Sequence, residues 1–268
     1  MFPAEPTAWA TLALVERLAA VGLLVASAEQ LVRRRALIAT GLLSWEVAQL
    51  RSRALSRGWQ HRMLDPLFRS PGVLMLLGLR AAAAAVVIVM PTPTSAAVVV
   101  CAAVTALLML RSSYGNDGAD QMGLIVLVAA ALAHAFDGTR VVSAVLWFCA
   151  AQACLSYVTS GLAKLRGRRW RDGSGLTGVL STRTYGVGAL HRVLVRRRWL
   201  AIALSWSVIL TESLFPLVLV VPDAAVPWFL AGGLAFHLGA AVVMGLNTFV
   251  WAFAATYPAI AWCTLVAT

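Results

Sequence analysis

The sequence predicts an all-α protein, a polytopic integral membrane bundle of about eight transmembrane helices with amphipathic helices lying along the interface. Three observations predict it. Of 268 residues, 60% are hydrophobic and 12% charged, and the mean hydropathy is +0.82; no soluble domain needs that much apolar surface. The apolar residues fall into runs near the roughly 20 residues that cross hydrocarbon. The net charge of +11 gathers in two segments beside those runs. That is the pattern of positive-inside loops facing anionic headgroups, and it argues against a nucleic-acid partner.

Eight spans are expected, at about 8–27, 71–90, 94–110, 122–136, 141–163, 199–221, 227–246 and 248–267. Polar turns separate several of them, such as Pro91-Thr-Pro-Thr94 and Val221-Pro-Asp-Ala224. Met1 to Pro6 are acidic rather than basic, so no cleavable signal peptide is expected. One transmembrane domain over 1–268 is expected, with no repeat of fixed period. The four cysteines lie in apolar runs and form no CxxC pair, which argues against a metal or disulfide role. Arginine-for-lysine usage and abundant alanine suggest a bacterial source.

Two segments are not spans. Residues 28–70 hold eight arginines against three acids, and residues 164–198 hold Lys164 and nine arginines against Asp172 alone. Both carry amphipathic runs, including Leu42 to Leu55, suited to the interface. Four expected spans separate the two segments, which places both on one face. The positive-inside rule makes that face cytoplasmic and puts both termini outside.

Lys164 is the chain's only lysine beside 21 arginines. Arginine stays protonated, whereas a desolvated lysine can serve as a base. The plainer reading is a snorkelling residue at a helix end. Gln152, Ser156, Ser160 and Lys164 recur every four residues and make one polar stripe, with Tyr157 and Gly161 beside it. Such a stripe also suits a helix-packing seam.

Other ionisable residues inside spans are functional candidates because their burial is costly. Glu212 lies within the sixth span, four residues before Pro216, where the proline should kink the helix and open backbone acceptors. His237 lies in the seventh; it is either a hydrogen-bonded core histidine or a catalytic group. Glu16 and Arg17 interrupt the first span and Arg80 the second. Arg80 can answer Glu16 or Glu212, and Glu212 is expected to find Arg17, Arg80 or His237 as partner. Asp117 and Asp120, in the polar hairpin from Arg111 to Gln121, either orient Lys164 or a substrate or belong to a solvated turn. No HExxH, GxSxG, P-loop or GxGxxG pattern occurs in usable context.

Tyr157-Val-Thr-Ser-Gly-Leu-Ala-Lys-Leu165, followed by Trp170 and Gly173, resembles a motif of the horizontally transferred transmembrane family. That family includes the membrane domain of vitamin K-dependent γ-carboxylase. Ala235-Phe-His237 resembles the family's Phe-His segment, and Thr211-Glu212 lies where the carboxylase has an intramembrane acid. The resemblance implies that Lys164 matches the base that deprotonates reduced vitamin K. It implies reduced quinone and dioxygen as co-substrates, with no metal. Three departures qualify it. Asn116-Asp-Gly118 stands where the carboxylase has a histidine, the large C-terminal domain is not expected, and the lysine face reads as cytoplasmic rather than luminal.

The expected function is therefore a bacterial inner-membrane enzyme with Lys164 as base. His237 and Glu212 would orient substrate or relay a proton. Tyr157, Ser160, Trp170, Asp117, Asp120, Arg17 and Arg80 would contribute to binding a quinol-like or other amphipathic substrate, small molecule or peptide. The alternatives are a non-catalytic membrane partner in secreted-peptide maturation, export or immunity, and a small-molecule transporter.

Overall fold

The structure is a computed structural model that describes residues 7–38, 41, 43–50, 58–92, 94–112 and 116–267. It is an all-helical, multi-pass membrane architecture, without a strand among the described residues. Its contacts divide it into two compact units, Met1–Val145 and Leu146–Thr268.

The first unit begins with α1 (Ala8–Val32), whose start is capped by the Thr7 hydroxyl accepting from the Ala10 amide at 3.2 Å. Three short helices follow: α2 (Arg34–Leu37), α3 (Trp45–Ala48) and α4 (Gly58–Phe68). Then come α5 (Gly72–Val89), α6 (Ser95–Arg111) and α7 (Gly118–Phe136). Helix α1 packs mainly on α5, α5 on α6, α6 on α7, and α7 returns to α1. Leu12, Val15, Leu77, Val98, Cys101, Met122 and Ala130 fill the interior between them.

The basic end of this unit is closed by a second apolar cluster of Leu37, Trp45, Phe68, Leu77 and Leu108. Arg111, buried at the end of α6, staples that end. Its guanidinium donates to the carbonyls of Phe68 at 2.9 Å, Leu43 at 2.9 Å and Leu37 at 3.5 Å. Asp65 adds an outer brace, accepting from the Trp45 indole at 2.9 Å and from Arg69, which also pairs with Glu46. Of the amphipathic run expected over 42–55, residues 42 and 51–55 lie outside the described residues. So do residues 113–115 of the polar hairpin.

Helix α8 (Thr139–Arg166) carries the boundary between the units. The second unit continues through three short helices, α9 (Arg168–Arg171), α10 (Ser174–Leu180) and α11 (Gly188–Arg196), and then α12 (Arg198–Leu214). Helices α10 to α12 share a small core of Leu180, Leu194 and Ala201, so the basic segment packs down rather than trailing as a loop. A 3₁₀ turn (Phe215–Leu219) leads on to α13 (Val226–Met244), α14 (Asn247–Ala254) and α15 (Tyr257–Ala267). Gly245, at φ 72°, ends α13 in the left-handed conformation that suits glycine.

Among the described residues seven helices are long and apolar enough to cross a membrane, taking α12 with its 3₁₀ extension to Leu219 as one and α14 with α15 as another. The remaining expected span, the third in order, is α6; it has 17 residues, or about 25 Å of helix against the ~30 Å of hydrocarbon. Arg111, bonded to loop carbonyls, sets its end. Pro216 was expected to kink the helix at Glu212; the change of geometry falls beyond it. The α-helix runs through Glu212 and gives way to 3₁₀ geometry at Phe215, because Pro216 cannot donate to the Glu212 carbonyl.

Candidate functional site

Along one face of α8 lie Tyr157, Ser160, Gly161 and Lys164, at helical spacings of three and four. Helix α12 comes very close here. A Cβ placed on Gly161 would lie 2.5 Å from both the amide nitrogen and the hydroxyl of Ser213. Glycine at this position lets the two backbones approach, as small residues do between membrane helices. The approach carries Glu212 to Lys164.

Lys164 Nζ donates to Glu212 Oε2 at 2.7 Å and Oε1 at 2.9 Å, and to Ser160 Oγ at 2.6 Å. Ser160 in turn donates to Glu212 Oε1 at 3.2 Å. The two side chains are 19% and 7% exposed, so the pair is largely shielded from water. The Trp170 ring lies 5.3 Å from the ammonium, close enough for a cation–π contact. Glu212 was expected to find Arg17, Arg80 or His237; its ion-pair partner is the lysine.

Two turns down α8, Tyr157 anchors a second cluster. Its hydroxyl bonds His237 Nε2 at 2.7 Å and the Tyr257 hydroxyl at 2.8 Å. Its ring stacks on Phe215 at 3.9 Å and meets Phe253 edge-on at 5.0 Å. Tyr157 is 2% exposed, so it has no free face for a substrate ring; Trp170 is half-buried. Gly233 on α13 makes room for this cluster, since a Cβ there would meet the Tyr257 hydroxyl and, at 3.1 Å, that of Tyr157. His237 is 3% exposed and stacks on Phe253 at 4.4 Å.

Chemically, both clusters can carry protons. The tyrosine–histidine chain is satisfied by either of two proton orders, running from Tyr257 to His237 or the reverse. The Lys164–Glu212 pair likewise has two arrangements: ammonium with carboxylate, or neutral amine with carboxylic acid. Only the second offers an amine base.

The remaining candidates lie in the first unit. Asp117 and Asp120 form a capping box at the start of α7. Asp117 Oδ1 accepts from the amides of Ala119 at 2.9 Å and Asp120 at 3.1 Å, and Asp120 Oδ2 accepts from the Asp117 amide at 3.2 Å. Arg80 is 4% exposed and donates to Ser27 Oγ at 2.9 Å. It does not answer Glu16, which pairs instead with His134 Nε2 at 2.7 Å. Arg17 donates to the carbonyls of Met90 at 3.1 Å and Pro91 at 2.5 Å.

Sequence reasoning did not reach Tyr257, Ser213 or His134. Tyr257 lies 100 residues from Tyr157 and His134 lies 118 from Glu16, so no local spacing links them. No group of three or more His, Cys, Asp or Glu able to hold a metal occurs among the described residues.

Fold and site together define a multi-pass helical membrane protein with a buried lysine–glutamate pair. No protein-family model, curated protein or solved structure matches the chain.

Proposed function

We propose that this chain is a bacterial plasma-membrane enzyme of the horizontally transferred transmembrane type, in which Lys164 takes a proton from an amphipathic, quinol-like substrate. The observation that carries this reading is the Lys164–Glu212 pair itself. The sole lysine of the chain is held by both oxygens of an intramembrane carboxylate, with Ser160 bridging them.

In this reading Glu212 stores the lysine's own proton and frees the amine. The amine removes the substrate's hydroxyl proton, and the new ammonium faces the oxyanion it has made. Trp170 is the aromatic plane against which a flat ring rests. The His237–Tyr157–Tyr257 chain, anchored on the same face of α8 through Tyr157, is suited to proton relay. Reduced quinone and dioxygen are the co-substrates the family resemblance implies. Both arginine-rich segments face the cytoplasm in this assignment.

A second reading also has an observation in its favour. The pair is fully satisfied by hydrogen bonds, as a purely structural pin between α8 and α12 would be. Lys164→Arg separates the two. Guanidinium pairs well with a carboxylate but does not deprotonate in proteins. The enzyme reading expects the variant to insert and fold normally and to lose activity in a cellular phenotype. Full function in Lys164→Arg would leave the structural pin.

A further inference from the structure

The first unit contains a second polar site that the lysine chemistry does not use. A cavity of about 510 Å³ lies between the start of α1, the end of α5 and the end of α7. Trp9, Ala13, Glu16, Arg17, Pro91 and His134 line it. The volume falls within the ~300–1,000 Å³ of ordinary ligand pockets. Its rim, at Ala10, Pro91 and Thr92, is exposed, whereas Glu16 in its wall is 1% exposed.

The charges in this wall are unusual. Glu16 has His134 as its ion-pair partner, and a carboxylate this deeply buried gains from a further cationic neighbour. Arg17 is held by two neutral carbonyls at the C-terminal end of α5, forms no ion pair among the described residues, and its buried Nε has no hydrogen-bond partner. A lone anion would be repelled by Glu16 and a lone cation by Arg17. A ligand carrying both charges satisfies both. The Trp9 ring, packed 5.7 Å from the His134 ring, adds a face for an ammonium group.

The location narrows the ligand further. The C-terminal end of α1 and the N-terminal end of α5 adjoin the arginine-rich segment 28–70, and the cavity lies at their opposite ends. Its mouth, at Ala10, Pro91 and Thr92, therefore lies at the ends of α1 and α5 remote from the basic segment, the ends that spanning helices present to headgroups. We propose that this cavity binds an amine–phosphate zwitterion of the phosphoethanolamine class, its phosphate on Arg17 and its ammonium against Glu16 and Trp9. The group is available as a phospholipid headgroup or as the free molecule.

The test uses the full chain, purified in detergent and exposed to phosphatidylethanolamine or to phosphatidylglycerol with the same acyl chains. Retained lipid is read by native mass spectrometry. We expect about tenfold stronger retention of the ethanolamine lipid, the factor that one good charged contact supplies. Glu16→Gln should erase that preference. Ala13→Trp, which fills the cavity and leaves its charged groups in place, should abolish retention without lowering the melting temperature of the lipid-free protein. If soluble phosphoethanolamine displaces the lipid, the free zwitterion is a ligand in its own right; if it does not, the lipid is the source. Equal retention of the two lipids, or unchanged retention in Ala13→Trp, would overturn the proposal.

Discussion

Lys164 and Glu212, 48 residues apart in sequence, meet through both carboxylate oxygens at 2.7 and 2.9 Å. Their two helices can approach this closely because Gly161 lies against the Ser213 backbone. The ion pair and the glycine are one device: the glycine sets the approach and the pair occupies it.

Removing one partner of the pair should therefore cost more than removing both. Glu212→Ala leaves an ammonium without its counter-charge, and about 3 kcal/mol of stability should be lost, the lower end for a broken buried pair. Glu212→Gln keeps a hydrogen-bond acceptor and should be milder. The double variant Lys164→Met, Glu212→Leu should recover most of the lost stability. Thermal unfolding in detergent measures all three, and a double variant no better than Glu212→Ala would contradict the argument.

Gly161→Ala should loosen the same contact. Its Cβ would sit 2.5 Å from backbone and side-chain atoms of Ser213, and only part of that contact is a movable side chain. Overpacking of this kind costs about 1–3 kcal/mol. A cysteine cross-link engineered between α8 and α12 should form more slowly in this variant than in the parent.

The sidedness of the basic segments can be checked by labelling. Trp59 is 71% exposed, Ser174 opens α10, and Asp223 begins the turn before α13. The native cysteines are all buried, so introduced ones report cleanly. Trp59→Cys and Ser174→Cys should be shielded from an impermeant reagent in intact cells, and Asp223→Cys should react. Opposite behaviour of Trp59→Cys and Ser174→Cys would mean that an odd number of spans separates the segments, with α6 the helix that fails to cross.

Acid should open the brace at the basic end of the first unit. Hydrogen bonds from Arg69, and more weakly from the Trp45 indole, hold the Asp65 carboxyl below its ordinary value, against the opposing effect of burial. A carboxyl depressed in the folded state contributes stability above its unfolded pKa, near 3.9, and that contribution is lost as the pH falls through the lower folded value. Proteolytic protection of residues 58–70 should thus hold from pH 7 to about 4 and decline below it. Asp65→Asn should be less protected at neutral pH and show a flatter profile. An unchanged acid profile in Asp65→Asn would exclude this brace as the cause.

The membrane class, the succession of apolar helices and the break beyond Glu212 follow from local properties, and the sequence determines them alone. Run length, hydropathy and the missing amide hydrogen of Pro216 need no knowledge of neighbours. Lys164 is singled out in the same way, as one amine among 21 guanidinium groups. Which charges meet is a different matter. Ion-pair partners depend on helix rotation and approach, set by small residues such as Gly161 and Gly233 and by packing across separations of 48 to 118 residues. Only the tertiary structure therefore decided that Glu212 belongs to Lys164, that Glu16 belongs to His134 rather than Arg80, and that Tyr257 completes the chain from His237. It likewise decided that Asp117 and Asp120 cap a helix, because a capping box and a ligand-binding pair of acids look alike until the backbone amides are in place.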